Sequence, residues 1–153
     1  MRYQIIAIGK IKHKYLISGL EYYQKLIKPF AKIEIIELKE AKAKSRAEVQ
    51  ALESKSLLKA AKQSYIIGLD ETGKQFSSLE LAGKISKLES SSISRVSFLV
   101  GGAEGHSKEL KEKANLLLSL SDLTFNHEMV RLIVLEQIYR IEAIRAKHPY
   151  HRD

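Results

Sequence analysis

Short apolar runs rich in β-branched residues alternate with longer segments whose apolar residues have helical spacing. The runs occupy residues 3–8, 33–36, 65–69, 96–100 and 116–120, and the helical segments occupy residues 15–26, 45–61, 78–88 and 107–114. Because buried parallel strands need covering helices, this alternation predicts an α/β fold with a parallel sheet flanked by helices. Ser107 is the expected N-cap of the last of these helices.

Residues 127–147 are predicted to form a final helix that is apolar around most of its circumference. Its apolar residues are Met129, Val130, Ile133, Val134, Ile138, Ile141 and Ile144. They cover too wide an arc for a single contact face. We therefore expect this helix to pack on two surfaces and the chain to form a homodimer.

Length and composition indicate one globular domain. At roughly 150 residues per domain, the 153 residues are expected to form a single domain over residues 1–153. The sequence holds no cysteine, which excludes disulfides, thiolate nucleophiles and cysteine-bound metal sites. No apolar run approaches the ~18 residues of a membrane span. We therefore expect a cytoplasmic protein with no membrane partner and no bound metal.

Basic residues outnumber acidic ones, and the excess is concentrated in the first third of the chain. The net charge is +8, and residues 1–50 hold 11 basic against 5 acidic side chains. Such a balance favours a polyanionic partner through phosphate contacts. Two clusters near predicted strand ends are candidate RNA contacts: Lys10, Lys12 and Lys14, and Lys42, Lys44 and Arg46. Charge alone predicts an ordinary solvated surface equally well.

The segment from Gly68 to Lys74 matches the start of a phosphate-binding loop. The next position is Gln75, where a Ser or Thr would hold magnesium. The carboxylates of Asp70 and Glu71 would also oppose a bound triphosphate. A nucleotide hydrolase is therefore an unfavoured alternative, and it would require magnesium-dependent nucleotide binding.

Three further segments carry residues suited to a ligand site. Gly101-Gly102-Ala103-Glu104-Gly105 follows a predicted strand, where glycines allow positive φ and close approach of the backbone to a ligand. Residues 118–127 join the last strand to the final helix through a polar loop that could offer backbone groups to an adenine. Residues 148–153 gather groups for proton transfer, stacking and phosphate binding. Taken singly, each segment also fits a plain structural role.

The ordered combination of motifs is far more specific than any one of them. In chain order they are Val100-Gly101-Gly102-Ala103-Glu104-Gly105, Ser119-Leu120-Ser121 with Leu123-Thr124, Val130-Arg131, Glu136-Gln137-Ile138-Tyr139-Arg140 and His148-Pro149-Tyr150-His151-Arg152. Over nearly the whole chain this set resembles the ribosomal RNA large subunit methyltransferase H family of the SPOUT class. The resemblance implies a SPOUT-like sheet with a C-terminal trefoil knot and a homodimer. It also implies methylation of N3 of a pseudouridine in large-subunit (23S) ribosomal RNA with S-adenosylmethionine.

The resemblance further implies which residues form the cofactor pocket. They are Leu69, Gly101, Gly102, Gly105, Ser121, Asp122, Leu123, Thr124, Phe125 and Asn126. Relatives commonly have proline where this chain has Asn126. Because proline would fix φ, we expect Asn126 to loosen the loop and to weaken cofactor binding modestly.

The chain end supplies the candidate catalytic residues. His151 and Arg152 are candidates to take the proton from the imide nitrogen of the pseudouridine or to stabilise the resulting anion. Tyr150 is a candidate to stack on the base or to form a hydrogen bond with it. Arg131 and Arg140 are candidates to hold phosphate or to order the tail. We expect the tail of one subunit to complete the site beside the glycine turn of the other. We also expect the substrate to be the assembled ribosome. The alternative is a non-catalytic RNA-binding or ribosome-assembly module with the same fold.

Overall fold

A computed structural model describes residues 1–150 of the chain, in which strands and helices alternate. The strands are β1 (Arg2–Ile8), β2 (Lys32–Leu38), β3 (Tyr65–Lys74), β4 (Arg95–Val100) and β5 (Leu116–Leu118). The helices are α1 (Lys14–Ile27), α2 (Arg46–Ala60), α3 (Ser78–Ser90), α4 (Lys108–Lys113) and α5 (His127–Arg145). Each predicted run and helical segment is thus confirmed as an element. Ser107 caps α4 as predicted, since its hydroxyl accepts a hydrogen bond from the Leu110 N–H at 3.2 Å.

The strands form one sheet in the order β2-β1-β4-β3-β5, and every neighbouring pair is parallel. The carboxyl ends of all these strands therefore meet at one edge, where open α/β sheets bind their ligands. Strand β3 is longer than predicted, because Lys74 pairs with Leu118 again after an irregularity that begins at Leu69. Strand β5 is shorter than predicted and ends at Leu118.

The same region decides against the phosphate-binding loop. Residues from Gly68 to Lys74 belong to an extended strand, and the next helix begins only at Ser78. A phosphate-binding loop would instead leave the strand and enter a helix near Lys74. The nucleotide-hydrolase alternative has no structural basis in this segment.

Two apolar clusters, one on each face of the sheet, form the core. Alternate side chains of the central strands point to opposite faces, so Ile5 and Phe98 lie in one cluster while Ile6 and Leu99 lie in the other. Helices α1, α3 and α5 cover the first face, and α2 and α4 cover the second. The chain thus forms the predicted α/β sandwich of helices around a parallel sheet.

Helix α5 lies between α1 and α3, and none of its residues is fully exposed. It approaches α1 closely, since a Cβ on Gly19 would lie 3.0 Å from Leu132 Cδ1. Packing within one chain therefore accounts for much of the wide apolar arc that we took to indicate a homodimer. The homodimer and the trefoil knot both stay predictions. None of the helices within residues 1–150 is long and apolar enough to span a bilayer.

Candidate functional site

A cleft of about 530 Å³ lies at the carboxyl edge of the sheet, where the segments after β4 and β5 meet the distal half of β3. The residues predicted for the cofactor pocket line this cleft, with the exception of Asp122. They come from three separate parts of the chain. The fold therefore brings together the residues that the family resemblance marked, although their sequence separation exceeds fifty positions between Leu69 and Ser121.

The glycine turn, residues 101–105, forms one wall of the cleft. The Gly105 N–H donates to the Gly102 carbonyl at 3.1 Å, and Gly105 has φ of +69°, which favours glycine. A Cβ on Gly101 would lie 3.2 Å from the Gly105 carbonyl carbon. A side chain at Gly101 would therefore crowd the turn, and one at Gly105 would be strained by the positive φ.

The loop of residues 119–126 forms the opposite wall, and hydrogen bonds join it to itself and to Gln75, the residue after β3. The Ser119 hydroxyl donates to the Ser121 carbonyl at 3.0 Å, and the Leu123 N–H donates to the Ser121 hydroxyl at 3.1 Å. Gln75 donates to the Asp122 carboxylate at 2.6 Å. The Asp122 side chain therefore stabilises the loop through Gln75 and does not line the cleft.

Asn126 ends the loop and begins α5. Its side-chain oxygen accepts a hydrogen bond from the Glu128 N–H at 2.8 Å, which caps the helix. Its φ is −57°, close to the value that a proline ring would impose. The backbone therefore takes a proline-like conformation without proline, and the capping bond supplies part of the rigidity that we expected the asparagine to lose.

Several charged and polar residues of the cleft were not predicted as site residues. Asp70 forms an ion pair with Lys111 at 2.8 Å, and both line the cleft together with Glu71, Glu104 and His106. Burial raises the pKa of Asp70, but the hydrogen bonds from Lys111 and Thr72 outweigh it and hold the pKa below its ordinary value. The phosphate-loop pattern had drawn attention to Asp70 and Glu71 for a different reason.

His106 is buried at the base of the cleft, with 4% of its surface exposed. Its Nε2–H donates to the Leu99 carbonyl at 3.2 Å, while Nδ1 has no partner among residues 1–150. Burial lowers the pKa of His106, so the imidazole stays neutral at physiological pH. No sequence signal singled it out, because a lone histidine after a glycine turn is common.

The two basic clusters are exposed and lie at the same edge of the sheet. Glu128, which follows the cleft residue His127, accepts hydrogen bonds from the Lys12 N–H at 3.3 Å and from His13 Nδ1 at 2.7 Å. Arg46 Nε lies 4.0 Å from Glu104 Oε1 of the glycine turn. The predicted RNA contacts therefore flank the cleft on two sides: Lys10, Lys12 and Lys14, and Lys42, Lys44 and Arg46.

The two arginines of α5 are placed differently from each other. Arg131 has a fully buried side chain that donates to the Ile8 carbonyl at 2.7 Å and to the Gly9 carbonyl at 2.9 Å. This corrects its assignment as an RNA contact, since its guanidinium is used inside the fold. Arg140 pairs with Glu136 at 2.7 Å and lies 5.0 Å from the centre of the Tyr150 ring, where it orders the start of the tail.

Tyr150 packs against α5 of its own chain, away from the cleft. Its hydroxyl donates to Glu136 Oε1 at 3.3 Å, and its ring centre lies 4.5 Å from that of Tyr139. Along the helix, Glu136 is ~9 Å beyond Val130, the last residue that lines the cleft. His151 and Arg152 lie outside the described residues. Within residues 1–150, no group of three or more histidine and carboxylate side chains could hold a metal ion.

Known proteins are similar to this chain in sequence, and others are similar to it in fold. A family model described as "Predicted SPOUT methyltransferase" matches residues 1–151. A protein of Natranaerobius thermophilus named ribosomal RNA large subunit methyltransferase H is 40% identical, and the match covers 99% of both chains. One of the same name from Acetivibrio thermocellus is 42% identical, over 99% of this chain and 100% of its own.

A solved structure supports the fold independently of sequence. The tRNA (m1G37) methyltransferase from Aquifex aeolicus superposes with a TM-score of 0.60 at 14% identity, covering 100% of this chain and 76% of that one. The family match, the nearly full-length relatives and the shared fold agree with the resemblance drawn from the motifs. The chain belongs to the SPOUT methyltransferase family, among the ribosomal RNA large subunit methyltransferases H.

Proposed function

We propose that this chain is a cytoplasmic, single-domain enzyme that methylates N3 of a pseudouridine in large-subunit ribosomal RNA with S-adenosylmethionine. The observation that carries the proposal is the convergence of β3, the glycine turn and the 119–126 loop on one cleft. These are the segments that the resemblance assigns to the cofactor. The relatives' shared name supplies the large-subunit RNA as substrate.

The cleft fits this cofactor in size and in charge. Its volume of about 530 Å³ lies within the ~300–1,000 Å³ typical of small-molecule sites. The cleft is lined by three carboxylates, those of Asp70, Glu71 and Glu104, and by one lysine, Lys111. This balance suits a ligand with sulfonium and ammonium groups. We propose that the backbone of the glycine turn and of the 119–126 loop holds it, and the cofactor supplies an electrophilic methyl group for in-line displacement.

The protein's own contribution is alignment and handling of one proton. Holding two reactants near attack distance supplies much of the acceleration in such a displacement. The imide N–H of the pseudouridine must lose its proton as N3 bonds to the methyl carbon, while the bond from that carbon to the sulfonium sulfur breaks and its electron pair stays on sulfur, leaving S-adenosylhomocysteine. We propose that His151 accepts the proton and that Arg152 stabilises the negative charge. Burial, then hydrogen bonding with Tyr23, raises the pKa of Tyr150. Tyr150 therefore stays protonated at neutral pH and contributes a stacking surface or a hydrogen-bond donor.

We propose that the tail acts on the cleft of a second subunit. Tyr150 is held at the level of Glu136 and Arg140 on its own α5, ~9 Å along the helix beyond the cleft. The candidate catalytic residues His151 and Arg152 follow it directly in the sequence. A homodimer that sets this tail beside the partner's glycine turn would complete the site without reversing the direction of the tail. Deletion of residues 148–153 should then abolish methyl transfer while cofactor binding remains.

The basic clusters on both sides of the cleft are the proposed RNA contacts. They are exposed and lie at the edge where the cofactor would bind, so RNA phosphates held there bring a base over the cleft. Residues 1–150 form one small sheet with its covering helices and no second unit beside it. We therefore propose that the chain reads the shaped surface of an assembled ribosome. Equal methylation of naked ribosomal RNA would contradict this.

The decisive experiment is transfer of labelled methyl from S-adenosylmethionine to ribosomes that lack the modification, with the product base identified by mass spectrometry. Gly102→Arg tests the cleft, since even a Cβ at Gly102 would lie 2.6 Å from Glu53 Oε2. Gly83→Arg is the matched control, because Gly83 of α3 is exposed and a Cβ there would have no neighbour within 4 Å.

Each outcome separates the candidate functions. A methylpseudouridine in large-subunit RNA that disappears with Gly102→Arg and persists with Gly83→Arg supports the proposal. Cofactor binding without methyl transfer would contradict the proposed substrate while leaving the proposed cofactor in place. Neither binding nor transfer would favour the non-catalytic RNA-binding module.

A further inference from the structure

Helix α2 presents a buried polar face to the glycine turn. Gln50, Glu53 and Ser54 lie on one side of the helix, at the spacing that places side chains on a common face. Glu53 and Ser54 are among the most buried polar residues of the chain, with 4% and 1% of their surfaces exposed. Burying polar groups costs free energy unless they form hydrogen bonds, so we expect these side chains to have hydrogen-bond partners.

Two of these side chains hold the glycine turn and the residues after it. Gln50 donates to the Glu104 carbonyl at 2.8 Å, and the Ser107 N–H donates to the Ser54 hydroxyl at 2.9 Å. These bonds join α2 to the turn within the cleft wall and to the start of α4. The turn is therefore fixed from behind by α2.

Glu53 lies between these two anchors and joins a second segment to them. Its Oε1 accepts a hydrogen bond from the Ala41 N–H at 3.0 Å, in the segment between β2 and α2 that carries Lys42 and Lys44. Its Oε2 has no partner among residues 1–150 and faces Gly102, where a Cβ would lie only 2.6 Å away. One buried carboxylate thus contacts both the basic segment and the glycine turn.

We propose that Glu53 is a positioning residue that holds the glycine turn and the basic segment at a fixed position relative to each other. This inference rests on the proposed function, in which the turn binds the cofactor and the basic segment binds RNA. The contact also explains why position 102 is glycine: any side chain there would displace the carboxylate and with it the turn. Glu53 itself does not line the cleft, so it acts through Gly102 and Ala41.

Binding of S-adenosylhomocysteine, measured by calorimetry on the full chain, tests this. Glu53→Ala removes the contact and should weaken binding about tenfold, the effect of losing a hydrogen bond to a charged group. Glu53→Gln keeps the shape and an acceptor for Ala41 and should lose less. In methyl transfer, Glu53→Ala should raise KM for the cofactor more than it lowers kcat. Glu21→Gln, at an exposed position of α1, is the matched control and should bind as the wild type does.

A double-mutant cycle distinguishes positioning from general destabilisation. Gly102→Ala should weaken binding in the wild type through its clash with Glu53, and it should weaken binding much less when position 53 is already alanine. Independent, multiplicative losses would overturn the proposal, as would unchanged binding by Glu53→Ala. Wild-type protein that binds no S-adenosylhomocysteine would instead overturn the proposed function, and this inference with it.

Discussion

Replacing Arg131 should destabilise the fold and leave RNA affinity unchanged. Its side chain is fully buried and bonds to the carbonyls of Ile8 and Gly9, with Glu37 Oε1 at 3.4 Å. It thereby joins α5 to the carboxyl end of β1. Burial lowers the pKa of Arg131, with Glu37 acting in the opposite direction, and even so the guanidinium stays charged at any physiological pH.

The magnitude of the loss follows from the groups left unpaired. Arg131→Met keeps most of the side-chain volume but leaves the carbonyls of Ile8 and Gly9 buried without their donors, at ~1–3 kcal/mol each. Part of this is offset, because the variant no longer buries a charge whose Nε has no partner among residues 1–150. We expect a net loss of about 3 kcal/mol, or about 6–12 °C in Tm for a domain of this size.

Thermal unfolding followed by circular dichroism measures the loss of stability directly. Arg46→Met is the control, since that side chain is 90% exposed and should leave Tm nearly unchanged while it weakens RNA binding. RNA affinity should be measured at a temperature where both variants are folded. A Tm for Arg131→Met within about 2 °C of the wild type, together with reduced RNA affinity, would refute the reasoning and return Arg131 to the RNA interface.

Three further changes test other parts of the structure. Burial lowers the pKa of His106, so the unfolded chain binds a proton on this residue more readily than the folded chain does. The free energy of unfolding should therefore fall as the pH drops below about 6.5, the ordinary pKa of histidine. This dependence of Tm on pH should be weaker in His106→Leu. Changing Lys42, Lys44 and Arg46 to glutamine should leave Tm unchanged and reduce the slope of log affinity for RNA against log salt by about 2; an unchanged slope would place the RNA elsewhere. Gly73→Ala should lower stability by about 1–3 kcal/mol in urea unfolding, because its Cβ would lie 2.6 Å from β5 backbone.

The fold was predictable because each element carries its own local signal. The apolar runs and helical spacings placed every strand and helix, and the errors are confined to ends such as those of β3 and β5. The wide apolar arc of α5 was read correctly as two contact surfaces. Which surfaces these are depends on the positions of α1 and α3, and periodicity along one helix holds no information about its neighbours.

The site was predictable only where a motif marks it. The glycine turn and the 119–126 loop were found through the family resemblance, whereas Glu53 and His106 were not found at all. Both are single polar residues within ordinary helical or loop sequence, and their importance comes from burial and from partners far away in the chain. Arg131 shows the converse, since a conspicuous arginine in a motif proved to be a buried link between α5 and β1.

The parallel sheet explains how the separate segments of the candidate site come together. Every strand is followed by a loop at one edge of the sheet, so the glycine turn, the 119–126 loop, both basic clusters and the start of α5 all meet there. Helix α5 then runs ~28 Å away from that edge, at 1.5 Å per residue over its 19 residues. Tyr150, the last described residue, packs back against Glu136. In the proposed homodimer, the carboxyl edge of the second copy lies beside this point on α5, where groups on the tail reach its cleft.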